Sequence, residues 1–143
     1  RRFKLRIPSG PEINVINLRD LVVSKKTQRD KDWFMLRRLV DNDISLHGNT
    51  SNMDKINWWL CECRNPIYLI DLCRKYPDLA QQQQFNRPLL KSAIKAYPKK
   101  LSQLLEDERE REQKKDRIYW EPLKKELELL RHKHLSKKAP ISH

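Results

Sequence analysis

Glycine is nearly missing from this chain, with two among 143 residues. That scarcity excludes a phosphate-cradling glycine loop, a β-barrel or a series of tight hairpins, and it favours helices. Apolar runs are short as well. None approaches the ~18 residues that a membrane-crossing helix needs, and the basic start has no apolar segment of the kind a secretory signal carries. Cysteine is limited to Cys61, Cys63 and Cys73. An odd number without a secretory context predicts reduced thiols and a cytoplasmic location. Zinc ligation by these thiols with His47 is disfavoured, because on a helix ligands two residues apart diverge by about 200°. Nucleophilic chemistry finds no support either, since His47, His132, His134 and His143 fall in a loop or near the tail, with no cysteine pairing suggested.

What is abundant is charge. Charged residues make up 35% of the chain and hydrophobic ones 38%, so one modest core is expected, with part of the chain projecting as a solvated helix. The formal net charge is +12. Its excess gathers at the ends, in Arg1, Arg2, Lys4 and Arg6 and again in Arg131, Lys133, Lys137 and Lys138. A dedicated nucleic-acid surface concentrates basic charge on one folded face. The pattern here predicts weak, non-specific nucleic-acid adhesion through basic ends.

In chain order, Phe3, Leu5 and Ile7 alternate with basic residues, Pro8–Pro11 turns, and Ile13 and Val15 resume the alternation. That reads as a hairpin or a pair of edge strands, which needs a partner surface, since two strands alone are marginal in water. A helix pair follows, then a polar loop over Asp41–Asn52, with Thr50 to Asn52 as possible caps for a helix through Trp58, Trp59 and Leu60. Adjacent tryptophans cannot share one stripe, so one belongs in a helix seam and the other at its margin; core anchoring outweighs base stacking. Asn65 caps a helix opened by Pro66, with Ile67, Leu69, Ile70, Leu72 and Cys73 buried. Gln81–Gln84 reads as a loop or helix end, and Pro88–Ala96 as a further helix. Pro98 opens the longest helix, with Leu101, Leu104 and Leu105 facing inward. Glu106–Arg117 then holds eleven charged residues of twelve, a run with no face to bury. Pro122 predicts a kink or restart. The expected organisation is 1–44, strands plus a helix pair; 45–97, a helical domain; and 98–143, a long charged arm with a basic tail.

The densest set of specific features lies in Asn17–Val40. Asn17 can cap a helix, Asp20 puts negative charge in its first turn, and Leu18, Leu21 and Val22 make one buried face. Lys25, Arg29 and Asp32 follow at i, i+4 and i+7. If the helix runs on, all three share one side. Trp33, Leu36 and Leu39 or Val40 form a second apolar stripe. From pattern alone, this is two core helices joined by a solvated charged elbow.

The run VINLRDLVVSKKTQRDKDW resembles the segment that closes the catalytic fold in small bacterial nucleotidyltransferase-like proteins of the minimal nucleotidyltransferase superfamily. There a last strand leads into a helix of the pattern Leu-x-x-Leu-x-x-x-Lys, then Arg-x-Lys-Asp and another helix. Leu18, Leu21, Lys25, Lys26, Arg29, Lys31 and Asp32 stand at the matching positions. Asp116–Arg131 also resembles the tail of a subset of that family. The resemblance implies a mainly α chain with a short N-terminal β hairpin or edge strands. It would form the C-terminal part of an α/β nucleotidyltransferase-like fold, followed by a helical domain. It also implies that Lys25 or Lys26 meets nucleotide phosphates, with Arg29 and Asp32 orienting the contact.

The family's chemistry needs a Gly-Ser turn and a paired Asp-x-Asp/Glu on strands, which clamps magnesium around an in-line phosphoryl transfer. Neither occurs here; Asp30-x-Asp32 and Asp41-x-Asp43 have the spacing but fall at helix ends. The expectation is therefore a non-catalytic C-terminal half with no catalytic or metal residue of its own. Mg2+ and a nucleoside triphosphate would act only in the full-length protein, and the partner is the missing N-terminal half or another subunit. The competing reading is a helical interaction module that pairs with another protein or with a second copy of itself, with Tyr119, Trp120, Leu123 and Leu127 as its contact surface and no membrane association. A basic nucleic-acid binder using the termini and Trp58 or Trp59 is the third.

Overall fold

The computed structural model describes residues 2–8, 10–49 and 51–137. Arg1, Ser9, Thr50 and residues 138–143, and the side chains of Arg2, Phe3 and residues 134–137, lie outside what is described. The chain is mainly helical, with a short two-stranded antiparallel hairpin at its N-terminal end. Strand β1 (Arg2–Arg6) pairs with β2 (Glu12–Ile16), with Leu5 opposite Ile13 and Phe3 opposite Val15. Alternation puts Leu5, Ile7, Ile13 and Val15 on one face. All four are exposed, Leu5 by 55%. The expected hairpin is present, and no described residue buries its apolar face.

Among the described residues seven helices follow. Helix α1 (Leu18–Ser24) is capped by Asn17, whose side-chain oxygen accepts from the Asp20 N–H at 2.7 Å. Helix α2 (Asp30–His47) buries Trp33, Leu36 and Val40 in one stripe. It runs well past the start of the expected Asp41–Asn52 loop, because two residues of that stretch are held inward. Ile44 packs on the core, and buried Asp43 accepts from the Trp59 indole at 2.8 Å. Position 45 therefore falls inside a helix, and one continuous core draws on residues from Val22 to Leu105.

Helix α3 (Met53–Glu62) is capped by Asn52, and α4 (Pro66–Lys75) by Asn65 with Pro66 at its first position. Trp59 is fully buried and Trp58 half-buried beneath the Arg19 guanidinium, as expected of a seam and its margin. On α4, Leu69, Ile70, Leu72 and Cys73 are buried but Ile67 is exposed, since it lies in the first turn on the outer side. Helix α5 (Pro77–Gln83) takes up most of the glutamine run, and α6 (Leu90–Ile94) is a short helix that buries Leu90 and Ala93. After α6, Ala96 adopts a positive φ of 53°. The Tyr97 N–H then reaches the Ser92 carbonyl at 3.1 Å, closing the helix end.

Helix α7 (Pro98–Lys137) departs from expectation twice. It passes through Pro122 without a restart, along a stretch fully open to solvent, where water can satisfy the carbonyl that loses its donor. And its charged run does have a buried side. Leu101 and Leu105 continue into Glu108, Gln113 and Asp116, each of which bonds to a residue distant in sequence. Beyond residue 116 every described side chain of α7 is exposed.

Candidate functional site

The α1–α2 elbow assembles three of the four basic and acidic residues singled out above, though not by a continuous helix. Helix α1 stops at Ser24, and the Lys25 N–H closes it on the Leu21 and Val22 carbonyls at 3.0 and 3.2 Å. The chain then loops until α2 begins at Asp30. Convergence comes from the Asp32 carboxylate, which is only 3% exposed. It accepts from the Thr27 hydroxyl at 2.6 Å and from Arg29 at 2.9 and 2.7 Å, while the Lys25 ammonium stands 3.8 Å away. The Thr27 hydroxyl bond, seconded by Arg29 and Lys25, outweighs burial and holds Asp32 below the usual carboxylate range. Behind it the Trp33 indole donates to the Thr27 carbonyl at 2.5 Å. The elbow is a knotted turn with two cations outward: the Arg29 side chain is 56% exposed and that of Lys25 30%. Lys26 points elsewhere, to Glu62 on α3 at 2.8 Å.

Helix α7 clamps this elbow. Gln113 donates to Asp30 at 2.8 Å, Asp116 accepts from the Gln28 backbone N–H at 2.9 Å, and Lys124 reaches the Gln28 side-chain oxygen at 3.1 Å. Deeper, Arg64 and Arg87 converge on Glu108. Arg87 donates to it at 2.9 and 2.7 Å and spends its remaining donor on the Leu60 and Cys63 carbonyls, both at 2.9 Å, at the end of α3. Burial raises the Glu108 carboxyl, but the Arg87 bonds and the charges of Arg87 and Arg64 win and leave it below its ordinary value. Arg64 lies over the Trp33 ring at 4.7 Å, tying this ion cluster to the elbow.

None of these α7 contacts was anticipated. Glu108 could have been found, because it extends the Leu101–Leu105 stripe at helical spacing. Arg87 carries no comparable signal: it sits in the turn before α6.

Neither Asp-x-Asp pair fits a magnesium clamp. Asp32 is filled by its three partners and Asp30 holds Gln113. Asp43 is engaged by Trp59 and Lys55, and Asp41 by Asn65. Each pair also diverges around a helix rather than facing one point. Among the described residues no group of three His, Cys, Asp or Glu is placed to hold a metal. Cys63 and Cys73 are buried, which pushes their thiols up to about 12 and about 11. No helix among the described residues is long and apolar enough to cross a membrane. Tyr119, Trp120, Leu123 and Leu127 all lie exposed on α7, with the Trp120 indole turned back to Asp116 at 3.1 Å. Comparisons with protein-family models, with curated proteins and with solved structures return no match.

Proposed function

We propose that this chain is the non-catalytic C-terminal portion of a nucleotidyltransferase-like protein. Its elbow would contact the phosphates of a nucleotide held mainly by a catalytic half. The observation that carries this reading is the bare hairpin face. Two strands with Leu5, Ile7, Ile13 and Val15 all exposed are a marginal unit, and a covering layer is what such a face requires. The hairpin runs directly into α1, a helix of seven residues and about 10 Å, which ends at the elbow. A layer over the hairpin would therefore adjoin Lys25 and Arg29.

In that setting Lys25 acts as a point charge toward phosphate oxygens, and Arg29 presents the edge of its guanidinium that Asp32 leaves unused. Asp32 fixes both without touching the nucleotide. Lys26, committed to Glu62, belongs to the scaffold. Magnesium and the triphosphate would rest on carboxylates of the other half, supplied by the same polypeptide or by another subunit.

The test begins with intact mass and co-purifying subunits of the natural product, followed by nucleotide-transfer assays on that assembly. Lys25→Ala is expected to lower transfer about tenfold, the size of one charge-assisted hydrogen bond, while the protein stays folded. Natural material without a carboxylate-bearing half, or full activity in both Lys25→Ala and Arg29→Ala, overturns the proposal.

A further inference from the structure

The outer part of α7 carries a pattern independent of the elbow reading. Trp120, Leu123, Leu127 and Leu130 recur at spacings of three, four and three residues, the a and d positions of a heptad repeat. All four are exposed, on the stretch of α7 past its last buried residue, Gln113. The positions flanking this seam are more specific than the seam itself. On one side, at the e positions, stand Arg117, Lys124 and Arg131, all basic; on the other, at g, stand Tyr119, Glu126 and Lys133. In a parallel pair of helices g faces e of the other strand, whereas in an antiparallel pair e faces e. Antiparallel pairing would set three basic side chains against three more. Parallel, in-register pairing instead sets Glu126 of each helix against Arg131 of the other, twice by symmetry.

The intrachain ion pairs agree with that assignment. On the outward side of the same helix Glu121 and Lys125 satisfy each other at 2.9 Å. Glu126 and Arg131, the two residues flanking the seam, take part in no ion pair within the described residues. At the inner end of the seam Lys124 reaches Gln28 and the Trp120 indole turns back to Asp116, so the stretch offered to a partner is Leu123, Leu127 and Leu130, with Glu126 and Arg131 beside it.

We infer that a second copy of this chain docks on the outer part of α7 as a short parallel coiled coil, with Leu123, Leu127 and Leu130 in the seam and Glu126 paired to Arg131 of the other copy. With fewer than two full heptads the association is weak and concentration-dependent.

Sedimentation equilibrium of the whole chain over a wide concentration range tests it. The expected result is a rise from 17.3 kDa toward twice that mass. Leu123→Glu and Leu127→Glu should hold the protein at the monomer mass with an unchanged circular dichroism melt, since neither side chain touches the core. Charge reversal then sets orientation. Glu126→Lys alone and Arg131→Glu alone each place like charges across the seam and should weaken association about fivefold, two exposed ion pairs being reversed. An equimolar mixture of the two variants restores both attractive pairs in a parallel dimer and should recover wild-type association. A monomer at every concentration, a dimer indifferent to Leu127→Glu, or a mixture no better than its components overturns the inference.

Discussion

Replacing Arg87 with methionine removes the best-connected buried charge while keeping most of its aliphatic volume. Four hydrogen bonds disappear: two to Glu108 at 2.9 and 2.7 Å and two to the Leu60 and Cys63 carbonyls at 2.9 Å. Each buried carbonyl left without a donor costs about 1–3 kcal/mol, and breaking a buried charge pair costs roughly 3–5 kcal/mol. These losses share one guanidinium and do not add, and Arg64 still faces Glu108, so the expected destabilisation is about 4 kcal/mol. For a chain of this size that is a fall in Tm of roughly 12 °C. Thermal melts followed by tryptophan fluorescence measure it, because Trp33 and Trp59 lie in the same core. Asp54→Ala is the control: it breaks the exposed Arg19–Asp54 pair at 2.6 Å and should cost under about 0.5 kcal/mol. The pH dependence follows from the lowered Glu108 carboxyl. The folded state gives up that proton more readily than the unfolded chain, whose value is near 4.5, so the pair's contribution is complete above that value and drains away as pH falls through the folded one. In Arg87→Met burial remains without its main opponent, and acid unfolding should begin at higher pH. A Tm within a degree or two of wild type would show that Glu108 and the two carbonyls do not depend on Arg87, and would refute this account of the buried cluster.

Asp32→Asn should accelerate hydrogen exchange at the Arg29 amide and the Trp33 indole while core amides stay protected; unchanged exchange would mean that α7 alone holds the elbow. The folded Asp32 carboxyl is also lowered, so elbow protection in the wild type should persist at neutral pH and fail as acid drops below the usual Asp value of 3.8. Trp59→Phe removes the buried bond to Asp43 and should cost about 1–2 kcal/mol in a thermal melt, with no loss arguing that Lys55 and His47 satisfy that carboxylate without the indole. Ala96→Gly should stabilise by up to about 1 kcal/mol in a thermal melt, because relief of the left-handed φ of 53° outweighs loss of a half-buried methyl packed on the core, and a destabilised variant would show that the methyl's packing counts for more. In a thiol titration near pH 8 Cys61 should react first, since Cys63 and Cys73 are pushed up to about 12 and about 11; rapid reaction of all three would contradict their burial.

Local signals were the readable part of this sequence. Asn17, Asn52 and Asn65 are caps whose partners lie two or three residues away, so the information sits within one turn. The hairpin was legible for the same reason, through alternation and a proline-flanked turn. Where expectation failed, the deciding contact was distant in sequence. Asp43 keeps α2 helical through a tryptophan 16 residues on, and Gln113 and Asp116 fold onto residues more than 80 positions earlier. Composition describes Glu106–Arg117 as a solvated run, and pairs at i, i+4 reinforce that impression. A stripe continued through charged residues is buried only when opposite charge waits in the facing wall, and Arg64 and Arg87 become that wall only once α4 to α6 have folded.

The elbow shows the same division at closer range. Spacing alone placed Lys25, Arg29 and Asp32 on one side, on the premise of an unbroken helix. They do meet, but through a loop that the helical premise denies, and the residue that makes it possible is Thr27, which helical spacing gives no reason to select. Its hydroxyl binds Asp32 and its carbonyl takes the Trp33 indole, so a single threonine closes the turn from both sides. The consequence for function is a division of labour that spacing could not supply. Asp32 is buried and spent on orientation, Lys26 is spent on Glu62, and Lys25 and Arg29, held by Asp32 but partly exposed, are the elbow cations turned toward solvent where an anion would meet them. If the elbow meets phosphate, Lys25 and Arg29 will set affinity, while Thr27, Asp32 and Asp116 will set whether those two cations are in position at all.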